Sequence, residues 1–146
     1  MSKAVPFQTT LRVRDACLCL HAQRAARALA RRFDAALRPL ELTSGQFSLL
    51  MSLNRPEPPA MGAVADLLAM DRTTLTAAIK PLAGRGFVKS AADPRDRRSR
   101  LLTLTPKGRA ALAQAVPIWE RTHAAIENVL PKSDLDRLRK SLLALS

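Results

Sequence analysis

The apolar residues in the N-terminal part of the chain recur at steps of three and four. The series consists of Leu18, Ala22, Ala25, Leu29, Phe33, Ala36 and Leu40, with arginines between its members. This period places the apolar residues along one face of an α-helix, and we predict a long amphipathic helix over residues 11–40. Thr43 and Gln46 have the spacing of a capping box. A second helix is therefore predicted over residues 47–53, before a proline-rich break at residues 54–59.

Two short helices joined by a tight turn are predicted next. Apolar residues at helical spacing lie at Met61, Val64, Leu67 and Leu68, and again, beyond the N-cap residue Asp71, at Leu75, Ala78, Ile79 and Leu82. The sequence Gly84-Arg85-Gly86 ends the second of these helices. Residues 87–88 and 101–104 are then predicted as two short strands on either side of a polar, charged connection. A β-hairpin therefore follows the helix pair.

The C-terminal part of the chain predicts two further helices. Thr105 and Pro106 supply an N-cap and a first-turn proline for a helix that reaches about residue 130, and Pro117 should bend it near residues 113–117. Ser133 and Asp136 are spaced as a capping pair for the last helix. The leucines at positions 135, 138, 142 and 145 of that helix repeat at the spacing of a coiled-coil seam, and such a seam requires a partner.

Length and composition agree with a single, mainly helical domain. The chain has 146 residues, no tyrosine and only 3% aromatic residues, which favours helices over sheets of β-branched and aromatic strands. The order of the elements predicts a mainly α fold with a small β-hairpin wing, that is, a winged helix-turn-helix. In this arrangement the second helix of the pair enters the major groove of DNA, and the hairpin contacts the backbone or the minor groove.

The charge of the chain indicates a polyanionic partner. Lys and Arg number 24 and Asp and Glu 12, so the formal net charge is +12, more than solubility requires. Nucleic acid, an anionic membrane surface and an acidic protein all fit this charge. No apolar stretch is long enough to cross a membrane and residues 1–10 lack the pattern of a signal peptide, so we expect a cytoplasmic protein without a membrane partner. The sequence has no glycine-rich phosphate loop, nucleophile elbow or zinc-protease motif, and therefore does not support an enzyme.

Two polar segments lie where a winged helix-turn-helix would contact DNA. The first opens the second helix of the pair and contains Arg72, Thr73, Thr74 and Thr76. Hydroxyl side chains also favour helix starts for local reasons, so an ordinary capped surface helix is the alternative. The second segment, residues 93–100, contains Arg95, Asp96, Arg97, Arg98 and Arg100. Guanidinium groups fit phosphate and the narrow minor groove of A·T-rich DNA. A solvated loop whose charges pair with one another is the alternative for this segment.

Residues 71–104 resemble the MarR family of transcriptional regulators. The resemblance rests on the segments D-R-T-T-L-T, R-G-F-V, D-P-R-D-R-R and L-T-L-T-P-K-G, and it extends to Gln46-Phe47 of the second helix. It implies a homodimer joined by N- and C-terminal helices, over residues 1–40 and 106–146, with a DNA-binding lobe at residues 43–104. It further implies that the dimer binds double-stranded DNA at a pseudo-palindromic operator, usually as a repressor, until a small anionic or aromatic effector releases it.

The resemblance also assigns DNA contacts by position. It implies that the four polar residues opening the second helix contact DNA, and that Asp96 and Arg98 match the aspartate–arginine pair of the family's wing, which two further arginines extend. The sequence departs from the commonest pattern of the family at Ala77, where an arginine is frequent. It departs again at Pro81, which cannot donate a helical hydrogen bond and should loosen the last turns of that helix.

Cys17, Cys19 and His21 are the candidates for a regulatory site. On one continuous helix the side chains of the two cysteines point about 200° apart and cannot form a disulfide. The resemblance aligns Cys19 with the reactive cysteine of the hydroperoxide-sensing branch of the family, so redox sensing through Cys19 is one hypothesis. That branch uses tyrosine hydroxyls, which this chain lacks, and a small buried core residue is the alternative for Cys19.

The histidines leave several interpretations open. His21 lies one helical turn from Cys17, where it could pair with the thiol, bind a carboxylate of an effector or serve the structure alone. Together with His123 these residues do not form a metal-ligand cluster of known spacing, so neither a metal nor another cofactor is predicted. Trp119 is predicted to belong to the core. A protein that binds nucleic acid without sequence preference is the competing function.

Overall fold

Residues 4–146, which a computed structural model describes, form seven α-helices and one antiparallel β-hairpin. In chain order the elements are α1 (Phe7–Ala16), α2 (Leu18–Leu37), α3 (Ser44–Ser52), α4 (Met61–Leu67), α5 (Arg72–Gly84), β1 (Val88–Asp93), β2 (Asp96–Leu104), α6 (Pro106–Glu127) and α7 (Leu135–Ala144). A 3₁₀ turn follows α2 at Arg38–Leu40 and another precedes α7 at Lys132–Asp134. This order confirms the predicted mainly α fold with a hairpin wing. The first three residues of the predicted segment 1–40 lie outside the described residues.

The hydrophobic core lies between the end of α2 and the middle of α6. All buried members of this core belong to residues 37–115, and the most enclosed are Leu37, Leu49, Leu50, Val64, Leu75, Leu82, Leu102 and Leu104. By contrast, α1 and α7 bury none of their residues, and α2 buries only its last one. Leu138 and Leu142 of the predicted seam are 42% and 50% exposed. The terminal helices therefore present an apolar face that a single chain does not cover.

The ends of α3, α4 and α5 follow the predicted local signals. The Thr43 hydroxyl accepts the Gln46 N–H and the Gln46 side chain accepts the Thr43 N–H, both at 3.1 Å, which confirms the capping box of α3. Ala69, at φ 51°, turns the chain sharply after α4, and the Met70 N–H donates to the Ala65 carbonyl at 2.9 Å. The predicted helix pair with its tight turn is confirmed.

The predicted single helix over residues 11–40 is wrong, because the chain breaks at Cys17. This residue is extended, with φ −70° and ψ 111°, so that α1 ends before it and α2 begins after it. The Cys17 sulfur accepts the Leu20 N–H at 3.5 Å and caps α2. No glycine or proline marks the break, and the apolar series that predicted the helix begins only after it, at Leu18. Because Cys17 lies outside both helices, the angle of about 200° expected between the Cys17 and Cys19 side chains on one helix does not hold. Both thiols are nevertheless free in the structure.

The hairpin is longer than predicted, because its strands continue through the charged segment. Only Pro94 and Arg95 form the turn, and the arginines that follow lie in β2 rather than in a connecting loop. The backbone pairing of a hairpin does not require apolar side chains, and the apolar pattern of the sequence therefore ends before the strands do. At the other edge of β2 the Leu102 N–H donates to the Pro59 carbonyl at 3.0 Å, which ties the hairpin to the proline-rich segment.

The predicted capping pair of the last helix is also wrong. The 3₁₀ turn at Lys132–Asp134 delays the start of α7, and the side chain at its N-cap position makes no capping hydrogen bond. Ser133 instead donates to Asp134 at 3.4 Å, while Asp136 accepts from Arg139 at 3.1 Å. The acidic side chain that the sequence assigns to the cap is thus engaged within the helix.

Two prolines lie inside helices without ending them. The helix α5 continues through Pro81 and α6 continues through Pro117. Each proline leaves the carbonyl four residues before it without a helical donor. In α5 the last turn still closes, because the Arg85 N–H donates to the Pro81 carbonyl at 3.1 Å. None of the helices within residues 4–146 is long and apolar enough to cross a membrane.

The end of α5, the base of the hairpin and the start of α6 meet at a tight junction. Gly86 ends α5 at φ 77°, a conformation that favours glycine, and the Phe87 N–H donates to the Leu82 carbonyl at 2.9 Å. The Thr105 hydroxyl donates to the Gly86 carbonyl at 2.6 Å and accepts the Gly108 N–H at 3.0 Å. A Cβ atom added at Gly108 would overlap with the Phe87 carbonyl oxygen. The junction therefore requires glycine in the first turn of α6.

Gly108→Ala should lower the free energy of unfolding by about 2–3 kcal/mol, because the added methyl group overpacks the junction against backbone atoms. In an open helix position the same change would stabilise the protein by up to about 1 kcal/mol. Gly84→Ala is the matched control, since no atom lies within 4 Å of a Cβ added there. Urea denaturation followed by the fluorescence of Trp119, the single tryptophan, measures both variants. Equal stabilities would contradict the packing described for the junction.

Candidate nucleic-acid interface

The outer face of α5 forms a shallow depression of about 400 Å³. Its lining residues are Arg72, Thr73, Thr76, Ala77 and Lys80. This face points outward because Leu75, Ile79 and Leu82 on the opposite side of α5 are buried in the core. Three of the four residues predicted on α5 therefore share one exposed surface with a second cation.

Lys80 is the residue of this surface that the sequence reasoning missed. It lies two helical turns beyond Arg72 and one turn beyond Thr76, so that all three side chains lie on the same helix face. The spacing of four residues was available as a signal in the sequence. Both cations line the depression, together with Ala77.

The hydroxyl groups at the start of α5 differ in what they already bind. Thr74 donates its N–H and its hydroxyl to the Asp71 carboxylate, at 2.7 Å and 2.9 Å. The Thr76 hydroxyl donates to the Arg72 carbonyl at 2.8 Å. For the Thr73 hydroxyl, the described part of the chain supplies no hydrogen-bond partner. Thr74 therefore serves the helix cap, and Thr73 offers the free donor.

The cap keeps the Asp71 carboxylate charged. The hydrogen bonds from Thr74, first from its backbone N–H and then from its hydroxyl, lower the pKa of Asp71 below its usual value. Because the pKa is lower in the folded than in the unfolded state, the cap contributes its full stability above the unfolded pKa of about 4. That contribution is lost as the pH falls through the folded pKa. Near neutral pH the negative charge also complements the dipole at the start of α5.

The Arg72 side chain also packs onto α4. A Cβ atom added at Gly62 would lie 3.1 Å from Arg72 Nη2, so the guanidinium rests in the space left by the glycine. The Thr76 hydroxyl lies 3.7 Å from the Met61 sulfur on the same turn of α4. These contacts hold the start of α5 against the first turn of α4.

The tip of the hairpin contains an irregular segment. The register pairs Ala92 with Arg100 and then Asp93 with Asp96, which leaves residues 97–99 of β2 without partners in β1. Such bulges redirect the side chains of a strand. Two of the predicted wing arginines, Arg97 and Arg98, lie in this bulge, and both are exposed.

The charges of the wing do not pair with one another. Within residues 4–146 no wing arginine lies within 4.0 Å of a carboxylate oxygen. Asp93 and Asp96 instead accept the backbone N–H groups of Arg95 and Arg98, at 2.9 Å and 3.0 Å. The aspartates therefore shape the turn and the bulge through the backbone, and the guanidinium groups remain available to an anion.

Arg100 differs from the other wing arginines because its guanidinium is partly engaged. It donates from Nε to the Ser90 hydroxyl at 2.7 Å and from Nη2 to the Ser90 carbonyl at 3.1 Å. These bonds cross the hairpin and brace its two strands. A guanidinium has five N–H donors, so Arg100 can brace the hairpin and still donate to a phosphate.

The candidate regulatory residues lie at the start of α2. His21 Nδ1 lies 2.7 Å from the Cys17 carbonyl oxygen, so His21 contacts the backbone of Cys17 rather than its thiol. Cys17 is half-buried and Cys19 is exposed, which overturns the interpretation of Cys19 as a core residue of the single chain. Within residues 4–146 no group of three His, Cys, Asp or Glu side chains is placed to hold a metal ion.

Trp119 lines a cavity of about 390 Å³ between α3, α4 and α6. Its ring stacks on Phe47 and His123, at centroid distances of 6.3 Å and 4.7 Å. His123 Nδ1 lies 3.3 Å from Glu127 Oε1. Trp119 packs against the core as predicted, but it remains half-buried and faces the cavity. The steps of four residues from Trp119 to His123 and Glu127 are the sequence signal for this arrangement.

A larger cavity of about 500 Å³ lies between α2, α6 and α7. Most of its lining is apolar and includes Ala25, Leu29, Ile126, Leu135, Leu138 and Leu142. We call it the terminal groove. Arg139 and Glu127, which form a salt bridge, also line it. His21 lines neither cavity.

Comparison with known proteins gives one family-model match, to the MarR family over residues 42–99. The transcriptional regulator TtmR of Methylorubrum extorquens is 35% identical over 95 residues, which are 65% of this chain and 49% of TtmR. The aligned part of this chain thus spans about half the length of the curated relatives that it matches.

Solved structures also match over most of their length. The transcriptional regulator MosR of M. tuberculosis in complex with DNA is 34% identical, with a TM-score of 0.76 over 89% of this chain and 98% of MosR. BpsR of Bordetella bronchiseptica, whose DNA binding is regulated by 6-hydroxynicotinic acid, is 26% identical, with a TM-score of 0.78 over 88% of this chain and 91% of BpsR.

Proposed function

The chain belongs to the MarR family of transcriptional regulators, and we propose that it binds a pseudo-palindromic operator in double-stranded DNA as a homodimer. The observation that carries this proposal is the set of exposed cations on α5 and the wing that have no acidic partner: Arg72, Lys80, Arg95, Arg97 and Arg98. Free cations on one recognition helix and one wing suit the phosphates on either side of a groove.

The predicted contact residues divide into two roles. From α5, base edges and phosphates would be reached by Arg72, Thr73 and Thr76. From the wing, the minor groove or its phosphates would be contacted by Arg95, Arg97 and Arg98. The other predicted residues act mainly through the shape of the site, and these are Thr74 in the cap, Asp96 in the bulge and Arg100 across the hairpin. The structure of MosR with DNA supports this use of the fold.

We infer that the partner in the dimer is a second copy packed on the terminal groove. The terminal helices bury almost nothing within one chain, and the groove exposes a row of leucines. Residues 1–40 and 106–146 would then form the dimer, and residues 43–104 would bind DNA as a lobe that shares its core with the end of α2 and with α6. An exposed apolar surface is stabilised when the same surface of a second copy covers it.

We further propose that the protein is a repressor that a small anionic or aromatic effector releases from DNA. The cavity beside Trp119 and Phe47 lies between the DNA-binding lobe and α6, where a planar ligand would stack on an aromatic ring. Regulation of BpsR by 6-hydroxynicotinic acid supports an effector of this class. Binding there would move α6 relative to α3 and α4. It would thereby move the DNA-binding lobe of that subunit, which is one half of the dimer's DNA-binding surface.

Redox release through Cys19 is the second candidate, and the exposure of this thiol favours it. Oxidation requires an accessible sulfur, which a core cysteine would not supply. Cys17 lies at the N-cap of α2, two residues before Cys19, so an oxidised Cys19 would lie beside the break between α1 and α2. A change at this break would alter the terminal helices rather than the DNA-binding lobe.

Arg98→Ala should weaken operator binding about 5- to 50-fold and reduce the slope of log K against log salt by about 0.9, because one phosphate contact is lost. Arg109→Ala is the control, since this exposed arginine of α6 lies outside the wing. The operator is first selected from random duplexes, and fluorescence anisotropy then measures binding across a salt series. Wild-type affinity in Arg98→Ala would refute the wing assignment, and equal affinity of the wild type for selected and random duplexes would favour a sequence-indifferent binder.

Leu142→Asp should dissociate the dimer, because a carboxylate would be buried in the terminal groove at a cost of about 3 kcal/mol, or roughly 100-fold in the dissociation constant. Leu143→Asp is the matched control on the next residue of α7, which is 74% exposed and does not line the groove. Analytical ultracentrifugation over a concentration series gives the dissociation constants. A dimer that tolerates both changes equally would show that the groove is not the interface.

The two routes of release are separated by comparing the wild type with Cys19→Ser on the selected operator. If an effector acts at the cavity, 6-hydroxynicotinic acid or a related aromatic acid should release DNA from both proteins and quench Trp119 fluorescence. If Cys19 is the sensor, methyl hydroperoxide should release only the wild type from DNA. Unchanged operator affinity after hydroperoxide treatment would refute redox release through Cys19. Unchanged Trp119 fluorescence and operator affinity with all the acids would refute the cavity as the effector site.

A further inference from the structure

Arg85 joins the ends of two helices that are distant in sequence. It is the C-cap residue of α5, and it is half-buried. Its guanidinium donates from Nη1 to the Glu41 carbonyl at 2.5 Å and from Nη2 to the Leu40 carbonyl at 3.3 Å. Both carbonyls lie at the end of the 3₁₀ turn that continues α2. One side chain thus links the last turn of α5 to the last turn of α2.

The end of α2 needs such a donor. The last carbonyl groups of a helix have no partners within it, and the helix dipole makes this end negative. Glu41 adopts φ 54°, and the Leu42 N–H donates back to the Leu37 carbonyl at 3.4 Å, which turns the chain away and leaves the outer carbonyls open. A guanidinium remains charged at all relevant pH values and presents several donors in one plane.

An aromatic ring also contacts the guanidinium. Arg85 Cζ lies 4.5 Å from the centre of the Phe87 ring, and Phe87 is only 6% exposed at the base of β1. Lys107 from the first turn of α6 places its ammonium 5.6 Å from the same ring centre. The guanidinium is therefore held between the end of α2 and the Phe87 ring, by hydrogen bonds to two carbonyls and by a cation–π contact.

We propose that Arg85 is a positioning residue that fixes the orientation of α5 relative to α2 and thereby sets the spacing of the two DNA half-sites. This inference rests on the proposed function, in which α2 belongs to the dimer and α5 contacts DNA. The helix α5 packs chiefly against β1, α4 and α3, while α2 packs against α6 and α3. Arg85 is thus a direct link from the recognition helix to the dimer-forming helix.

The test compares Arg85→Gln with Arg109→Gln, which removes the same charge from an exposed site on α6. Each protein is titrated with the selected operator and with versions carrying one base pair more or fewer between the half-sites. One base pair moves a half-site by about 3.4 Å and rotates it by roughly 35°. The wild type and Arg109→Gln should lose at least about ten-fold in affinity on the altered operators, and Arg85→Gln no more than about three-fold, because its lobes adapt to either spacing.

A full spacing penalty in Arg85→Gln overturns the proposal. Arg85→Lys keeps a charge above Phe87 but offers a single ammonium, and it should show an intermediate penalty. If circular dichroism shows that Arg85→Gln is unfolded, Arg85→Lys replaces it in the assay. A spacing penalty in Arg85→Lys as large as that of the wild type would then overturn the proposal.

Amide hydrogen exchange tests the link without DNA. Exchange at Glu41 and Leu42 should be at least about ten-fold faster in Arg85→Gln than in Arg109→Gln, while exchange in α7 and at Leu50 stays unchanged. If exchange is faster throughout Arg85→Gln, the change destabilises the whole protein. If exchange at the end of α2 is unchanged, Arg85 does not hold that end. Either result overturns the proposal. Failure of the wild type to prefer any duplex would refute the proposed function and the half-site spacing that rests on it. The exchange result would still decide whether Arg85 links α5 to the end of α2, because it does not depend on DNA.

Discussion

The buried hydroxyl of Thr105 is the contact on which the arrangement of α5, the hairpin and α6 depends. It donates to the Gly86 carbonyl and accepts the Gly108 N–H, so that both its polar capacities are used inside the core. The Thr105 N–H also donates to the Phe87 carbonyl at 3.0 Å. A buried polar group left without a partner costs about 1–3 kcal/mol, so the three elements separate only at considerable cost. The candidate recognition helix α5 and the wing are thereby held in a fixed orientation relative to each other.

Much of the fold could be predicted because its signals are local. The capping box at Thr43 and the N-cap at Asp71 act over three residues, and the apolar period reports which face of each helix is buried. The break at Cys17 could not be predicted in this way. It depends on an extended backbone and a sulfur acceptor at a position where no glycine or proline stands. Likewise, the apolar pattern could not show that the hairpin strands continue through the arginines.

The candidate site could be predicted by residue type but not by the state of each side chain. Arginines at the wing and hydroxyls at the start of α5 are visible in the sequence. Which hydroxyl is already engaged follows from geometry, since Thr74 binds Asp71 while Thr73 does not. The hydrogen bond from Arg85 to the Glu41 carbonyl joins residues 44 positions apart, and no local sequence pattern predicts it. Only the folded chain shows long-range contacts of this kind.

The bulge at the tip of the hairpin also bears on solubility. Within the described residues β1 pairs with β2 alone, so its outer edge presents free backbone groups beside the small side chains of residues 90–92. An open edge of this kind can pair with the edge of another molecule and seed aggregation unless charges or bulges interrupt it. Lys89 stands at one end of this stretch, and at the other end β1 meets the bulge of β2 that carries Arg97 and Arg98. A wing without its arginines would therefore make the protein more prone to self-association and would also leave fewer cations to bind an anion.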